Sequence, residues 1–352
     1  MEIKSKEVSM AKGVAIILMV LAHTDFSDFG ERIIYMFHMP LFFFLSGYCF
    51  KTSYLNSFKS FAIKRIKGAY LPYVKWGIVF LLFHNLLLKL HIYDVEYGVN
   101  MYGLRDIVIK FIKILCSMTN ADPLLGGYWF LHSYFVASFI FFLIVYISRN
   151  NIYKMIVGGA LLMILCLFSS VSKISIPGYI GYREIFATLF MVAGHIYKES
   201  GFNFENKPKI VLPVTLLIVI VGALLWPGNM LSILPYRIIP YCLSAIAGSI
   251  MVMSFCHLLL KSAYVETIFT YLGNRTLSIL TWHFLSFKVV SLLIILLYGL
   301  SIHRLGEFPI IQEYSKDGWW IVYTMFGISF PLTKDALMYL GRRSKHCEVS
   351  SL

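Results

Sequence analysis

The chain has 352 residues, 59% of them hydrophobic and only 14% charged, with a formal net charge of +13. A soluble domain carries about 25% charged and about 45–50% apolar residues, and recurring apolar runs of 18 or more mark membrane-crossing helices. These figures exclude a soluble protein built on one large core and imply an all-α, polytopic membrane protein.

In chain order, the apolar segments predict spans over 10–28, 33–50, 70–90, 128–148, 152–171, 179–197, 209–226, 237–260, 276–299 and 319–340. These make about ten helices in one transmembrane domain over 1–352, with no soluble domain and no internal repeat. The first run resembles a signal h-region, but no small-residue cleavage site follows, so a retained helix is expected. Two stretches, "SFKSFAIKRIKGAY" (57–70) and "LRDIVIKFIKIL" (104–115), are amphipathic with basic polar faces and suit helices lying at the interface.

Of the 31 Lys and Arg residues, 18 fall on the side that holds both ends and 10 on the other. The positive-inside rule therefore places both termini in the cytoplasm of a multi-pass protein in the inner or plasma membrane. The net charge is then mostly topology, and no nucleic-acid partner is needed. Six scattered cysteines show neither a CxxC nor a Cys/His metal spacing, so neither a disulfide framework nor a metal is expected.

Several polar residues sit where such segments tolerate few. "KGVAIILMVLAH" opens on Lys12 and closes on His23. Eleven residues make three helical turns plus about 20°, so the two share a face, about 16 Å apart along the axis. "YMFHMPLFFFLSGY" places His38 near the outer end of the second span, with Pro40 inviting a kink and Ser46-Gly47 a packing step. Ionisable groups at such depth face a bundle interior or a water-filled cavity. Lys64, Arg65 and Lys67 add a cationic cluster beside Lys12. Tyr128 and Trp129 suit a sugar or an interfacial belt, His283 lies near mid-depth, and His84 and His257 read as structural.

"KGVAIILMVLAH" followed by "FHMPLFFFLSGY" resembles the acyltransferase type 3 family of integral-membrane O-acyltransferases. "AIKRIKGAYLPY", "GGYWFLHSYF", "REIFATLFMVAGHIY" and "YLGNRTLSILTWHF" are similar to further segments of that family, over most of residues 10–285. The chain departs from the family at Lys12, usually arginine, and at Lys64-x-x-Lys67 with Arg65 between, usually R-x-x-R. Charge is kept, but the bidentate fork is lost at those positions.

The resemblance implies transfer of an acyl group, most often acetyl from acetyl-CoA, to a hydroxyl of a cell-envelope sugar or glycan. Histidine suits the base that such a hydroxyl needs at neutral pH. His23 is expected to be that base, with His38 orienting it or stabilising the oxyanion. Lys12, Lys64, Arg65 and Lys67 are expected to hold the CoA phosphates, and Tyr128, Trp129 and His283 to meet the acceptor. One tunnel is expected, from a basic cytoplasmic mouth to His23 and His38. Two alternatives are a transporter or flippase, which would show inverted repeats, and a membrane scaffold, which leaves the shared Lys12/His23 face unexplained.

Overall fold

The computed structural model describes residues 2–119, 121–172 and 181–333. Among these residues it is all helical, with no strand. Helix α1 is Glu2–Leu21, α2 Asp28–Tyr35, α3 His38–Tyr48, α4 Phe58–Arg65, α5 Leu71–Lys89, α6 Leu104–Ser117 and α7 Trp129–Ser148. Then follow α8 Ile152–Ser172, α9 Tyr182–Glu199, α10 Pro208–Leu225, α11 Ile238–Leu259, α12 Ala263–Gly273 and α13 Thr276–Tyr298. A last helix covers 320–333.

Six helical stretches among the described residues are long and apolar enough to cross a membrane: Phe58–Lys89, Pro123–Ser148, Ile152–Ser172, Pro208–Leu225, Pro235–Leu259 and Thr276–Tyr298. The other four expected spans differ for visible reasons. The first falls on α1, which begins earlier and carries Lys4, Lys6, Glu7 and Lys12. The second is broken. Helix α2 stops at Tyr35, and α3 restarts at His38 with Pro40 in its first turn, where the missing N–H costs no helical bond. With 11 residues, α3 is only about 16 Å long, half a bilayer core. The segment 179–197 falls on α9, which carries Arg183, Glu184, Lys198 and Glu199. Part of 319–340 lies outside the described residues.

The acid at the start of α9 is tolerated because protein, not lipid, surrounds it. Glu184 is fully buried. It accepts hydrogen bonds from Ser133 Oγ (2.6 Å) on α7 and from the Gly181 N–H (2.8 Å), and lies 3.3 Å from His132 Nδ1. By contrast, α8 and α10 leave Ile156, Leu161, Ile164, Phe168, Leu217 and Leu224 exposed, as lipid-facing helices do.

The expected interfacial stretch 57–70 is not a separate element. A π-helical turn, Ile66–Tyr70, runs α4 straight into α5. The stretch 104–115 is a helix of its own, α6, with Asp106 accepting from the Gly103 N–H at 3.0 Å. It docks on α5 where Ile114 meets Gly77 and leaves Leu104, Val108, Phe111 and Ile112 open. That is the kind of apolar face a bilayer surface covers.

Close helix crossings use glycine. Gly47 of α3 packs on the Met191 carbonyl, and Gly194 of α9 packs on the Phe44 carbonyl, so the two helices meet backbone to backbone at the expected small-residue step. Gly13 and Gly273 bring α1 and α12 together in the same way. Gly194→Ala should therefore cost at least about 1–3 kcal/mol, the range for overpacking, in reversible unfolding in detergent. Gly159→Ala, whose methyl meets only ordinary contact at 3.6 Å, should not destabilise. Equal stability of the two variants would show that the crossing can yield.

Candidate functional site

Three histidines are held alike. His23 lies just past α1, its N–H bonded to the Val20 carbonyl at 3.1 Å, and its Nδ1 is 2.7 Å from the Met19 carbonyl. His38 Nδ1 is 2.8 Å from the Ile34 carbonyl, across the α2–α3 break. His283 Nδ1 lies 3.1 and 3.0 Å from the Ile279 and Leu280 carbonyls. A carbonyl only accepts, so each Nδ1 carries the proton and each Nε2 presents a lone pair. The Nε2 of His283 is buried with no partner. Its ring meets that of His23 edge-on, with centroids 5.7 Å apart, and Phe284 flanks His23 at 5.1 Å.

Tyr35 closes one side of this group. Its hydroxyl donates to the Ala22 carbonyl (2.8 Å), tying α2 to the end of α1, and its ring stands edge-on to His38 at 5.4 Å. Tyr241 donates to the Tyr35 carbonyl at 3.0 Å, and Ser315 donates to that of Thr24.

Three cavities meet here. The first, about 420 Å³, is lined at one end by Lys12, Lys64, Arg65, Tyr54 and Asn274, and elsewhere by apolar groups that include Ile16, Met19, Met39 and Leu280. Lys12, Ile16 and Met19 follow one face of α1, and His23 continues that series, as the sequence spacing requires. The second cavity, about 210 Å³, contains His23, His38, Tyr35 and Trp129 with Asn229 to Ser232, and shares Met19, Met39 and Leu280 with the first. The third, about 490 Å³, is lined by Asp25, Glu31, Glu307, Tyr97 and Gln312, and shares His23 and Tyr35 with the second.

The cationic end is prepared for an anion. Arg65 is only 8% exposed. Its guanidinium donates to the Tyr134 hydroxyl and lies over Phe61 at 4.9 Å and Tyr134 at 5.1 Å, yet its Nε has no partner. A buried cation left this incompletely paired is costly without a counter-ion. Lys64 donates to the Tyr54 hydroxyl at 3.1 Å. Lys67 is exposed and outside the cavity lining.

Among the expected acceptor residues, Trp129 lines the histidine chamber. Tyr128 does not: it is fully buried, with its hydroxyl 2.7 Å from that of Thr281. His283 stands behind His23. His84 and His257 have the structural partners expected of them. His84 is bonded to Asp122 (2.8 Å) and the Asn100 carbonyl (3.0 Å) and stacks on Tyr102, and His257 contacts Glu7 at 2.6 Å.

The sequence reading missed the acidic cavity and Asn229. The Asn229 Oδ1 accepts from the N–H groups of Leu231 and Ser232, both at 2.8 Å, which leaves its amide N–H groups to donate elsewhere. The acidic cavity had a trace in "TDFSDFGE", with Asp25, Asp28 and Glu31 within seven residues.

Among the described residues, lipid-facing and buried helices surround a chamber lined by His23 and His38, with His283 behind His23 and a basic and an acidic cavity on either side, an arrangement suited to an integral-membrane enzyme. A family model described as an acyltransferase domain matches residues 6–333. The chain belongs to that family, and the resemblance of its motifs is thereby confirmed. No curated protein and no solved structure is significantly similar to it.

Glu31 offers a test of the acidic cavity. Burial first, and the neighbouring Asp25 charge second, push its carboxyl up to about 7. A carboxyl whose folded pKa is raised destabilises the fold once the unfolded chain ionises, above about 4.5, and fully above about 7. Glu31→Gln should raise the melting temperature by about 2 °C at pH 8 and leave it unchanged near pH 4.5. A gain of equal size at both values would contradict this environment.

Proposed function

We propose that the protein is a membrane O-acyltransferase that moves an acyl group, acetyl in the first instance, from cytoplasmic acyl-CoA to a hydroxyl of a cell-envelope sugar or glycan. The observation that carries this reading is the sharing of residues between neighbouring cavities. Met19, Met39 and Leu280 join the basic cavity to the histidine chamber, and His23 and Tyr35 join that chamber to the acidic, outer one. Donor and acceptor thus meet at His23 from opposite directions.

Lys12, Lys64 and Arg65 hold the phosphates of the donor, and the pantetheine arm follows the apolar wall past Ile16 to Met19, Met39 and Leu280, which line both cavities. His23 Nε2 takes the proton of the acceptor hydroxyl as its oxygen attacks the thioester carbonyl. The Nδ1–H bond to the Met19 carbonyl fixes the tautomer and supports the imidazolium that forms. Collapse of the tetrahedral intermediate breaks the C–S bond, and the imidazolium returns its proton to the leaving thiolate.

His38, expected to orient the base His23 or to stabilise the oxyanion, has hydrogen bonding that suits a third role, orienting the acceptor. Oxyanion stabilisation needs a donor, and a neutral ring protonated at Nδ1 has none at Nε2. His38 therefore accepts a hydroxyl of the acceptor and orients it, while the Trp129 indole N–H and the Asn229 amide are the donors available to the oxyanion. Hydroxyl-rich acceptors also suit the outer cavity, where Asp25, Glu31 and Glu307 accept hydrogen bonds and repel anionic groups. Both termini are cytoplasmic in this arrangement, with the basic mouth inside the cell.

The test is thioester cleavage and acyl transfer by purified protein supplied with acetyl-CoA and an envelope glycan extract. His23→Ala should lose about 10²–10⁴-fold in turnover while still binding CoA. Near-normal turnover in a folded variant removes the base assignment. Donor placement has its own readout. Cys49 is exposed in the basic cavity, so in a variant whose only cysteine is Cys49, CoA should slow maleimide labelling several-fold. Labelling that CoA leaves unchanged would move the donor elsewhere.

A further inference from the structure

On the rim of the outer cavity, two loops far apart in sequence bring two imidazoles to one carboxylate oxygen. His91 follows α5 in a left-handed conformation (φ 57°). Asp94 caps the 3₁₀ turn Val95–Tyr97, and its Oδ1 accepts from the Glu96 N–H at 3.0 Å, which orients the carboxylate. His303 comes from the turn Ile302–Gly306 after α13. The Nδ1 atoms of His91 and His303 lie 3.1 and 2.8 Å from Asp94 Oδ2, and all three ligand atoms lie within 4.8 Å of one another. The backbones are in close approach at the same point, since Gly306 leaves no room for a Cβ against Asp94.

We propose that His91, Asp94 and His303 form a binding site for a divalent transition metal, zinc in the first instance, that clamps these two loops together. Two imidazole nitrogens and one carboxylate oxygen are the donor set that Zn²⁺ and its neighbours select, at about 2.0–2.2 Å from the ion. Ligands at that radius around a tetrahedral ion stand about 3.3 Å apart, close to the separations here. The ion takes the place of the two Nδ1 protons that now bond Asp94. The carboxylate side chain is 8% exposed and the two imidazoles 39% and 46%, so the remaining coordination position opens to water. No local motif marks the site, because the third ligand lies more than two hundred residues from the other two.

The clamp would act on the outer cavity. Tyr97 and Glu307, which line it, sit one on each clamped loop and are joined by a 3.2 Å hydrogen bond. Buried Lys288 holds the second loop from below by donating to the Leu305 carbonyl at 2.9 Å and to that of Glu307. A metal ion at His91, Asp94 and His303 would fix the other end of the same rim. It is a structural ion and takes no part in the proposed acyl transfer.

The experiment uses the full chain in detergent, without a histidine tag and stripped with EDTA, titrated with ZnCl₂ by calorimetry and with Co²⁺ by visible absorption. The expected result is one saturable ion per chain, a ligand-field band of low-coordinate Co²⁺, and a metal-dependent rise in melting temperature. His303→Ala and His91→Gln should each weaken Zn²⁺ binding more than tenfold, at or beyond the 10–100-fold that loss of even an outer partner costs, and abolish the thermal rise. Both imidazoles are partly exposed, so melting in EDTA should match the parent and show that both variants fold. Absence of saturable binding in the parent, or binding that either variant leaves unchanged, overturns the site.

Discussion

An imidazole in an apolar helical bundle must place its N–H, because no water is at hand to take it and an unsatisfied donor costs several kcal/mol. His23, His38 and His283 solve this locally, each donating Nδ1–H to a carbonyl three or four residues back. The solution has a consequence for chemistry. Once Nδ1 is spent on the backbone, Nε2 can only accept, so the chamber gains basic sites and no acidic ones. Every donor that a transition state needs there must come from other residue types, and the chamber offers Trp129 and Asn229. The helix break at Tyr35–His38 serves the same end. It brings a carbonyl of α2 within reach of a histidine that opens α3, and it leaves α3 short enough to end beside the cationic cavity at Cys49.

Around that chamber the charges are sorted. Cations line the first of the neighbouring cavities and carboxylates the third, with Met19, Met39 and Leu280 shared by the first two. An anionic donor is attracted to the first cavity and disfavoured in the third, while an uncharged polyol has its hydrogen-bond acceptors in the third. In a medium of low dielectric such sorting is felt strongly, and under the proposed function it would give the reaction a direction across the protein without any moving part.

Much of this was legible in the sequence. The Lys12–His23 spacing placed two polar groups on one helical face, and Lys12, Ile16, Met19 and His23 do line the adjoining cavities in order. Pro40 marked the break, and Ser46-Gly47 the packing step, because both signals depend on local backbone geometry. The span count was harder to read. Hydropathy separates lipid from water, but α9 is surrounded by protein and can hold Glu184 paired to Ser133 and Gly181, so polarity within a helix no longer reports on the membrane. Tyr128 and Trp129 are adjacent and equally aromatic, and only the turn into α7 decides that one faces Thr281 and the other the chamber. Asn229 and Glu307 carried no local pattern at all, since their meaning comes from chain segments that only tertiary folding brings near His23.

Under the proposed function, the apolar wall shared by the basic cavity and the chamber bears on why such a site stays productive. An acyl thioester in water is open to hydrolysis, and a base poised to deprotonate a sugar hydroxyl is equally able to activate water. Two of the three side chains that separate the cavities are methionines, unbranched and adaptable, which can part around a thin pantetheine arm and close behind it. Gly127 lies against Leu280, the third, with its absent side chain leaving Leu280 its room. The chamber beyond is about 210 Å³, enough for an acetyl group and the reacting end of a sugar. With the acceptor seated, its own hydroxyls occupy the Nε2 positions that water would otherwise use. In that reading, selection of the alcohol over water follows from filling the chamber with the acceptor's own hydroxyls.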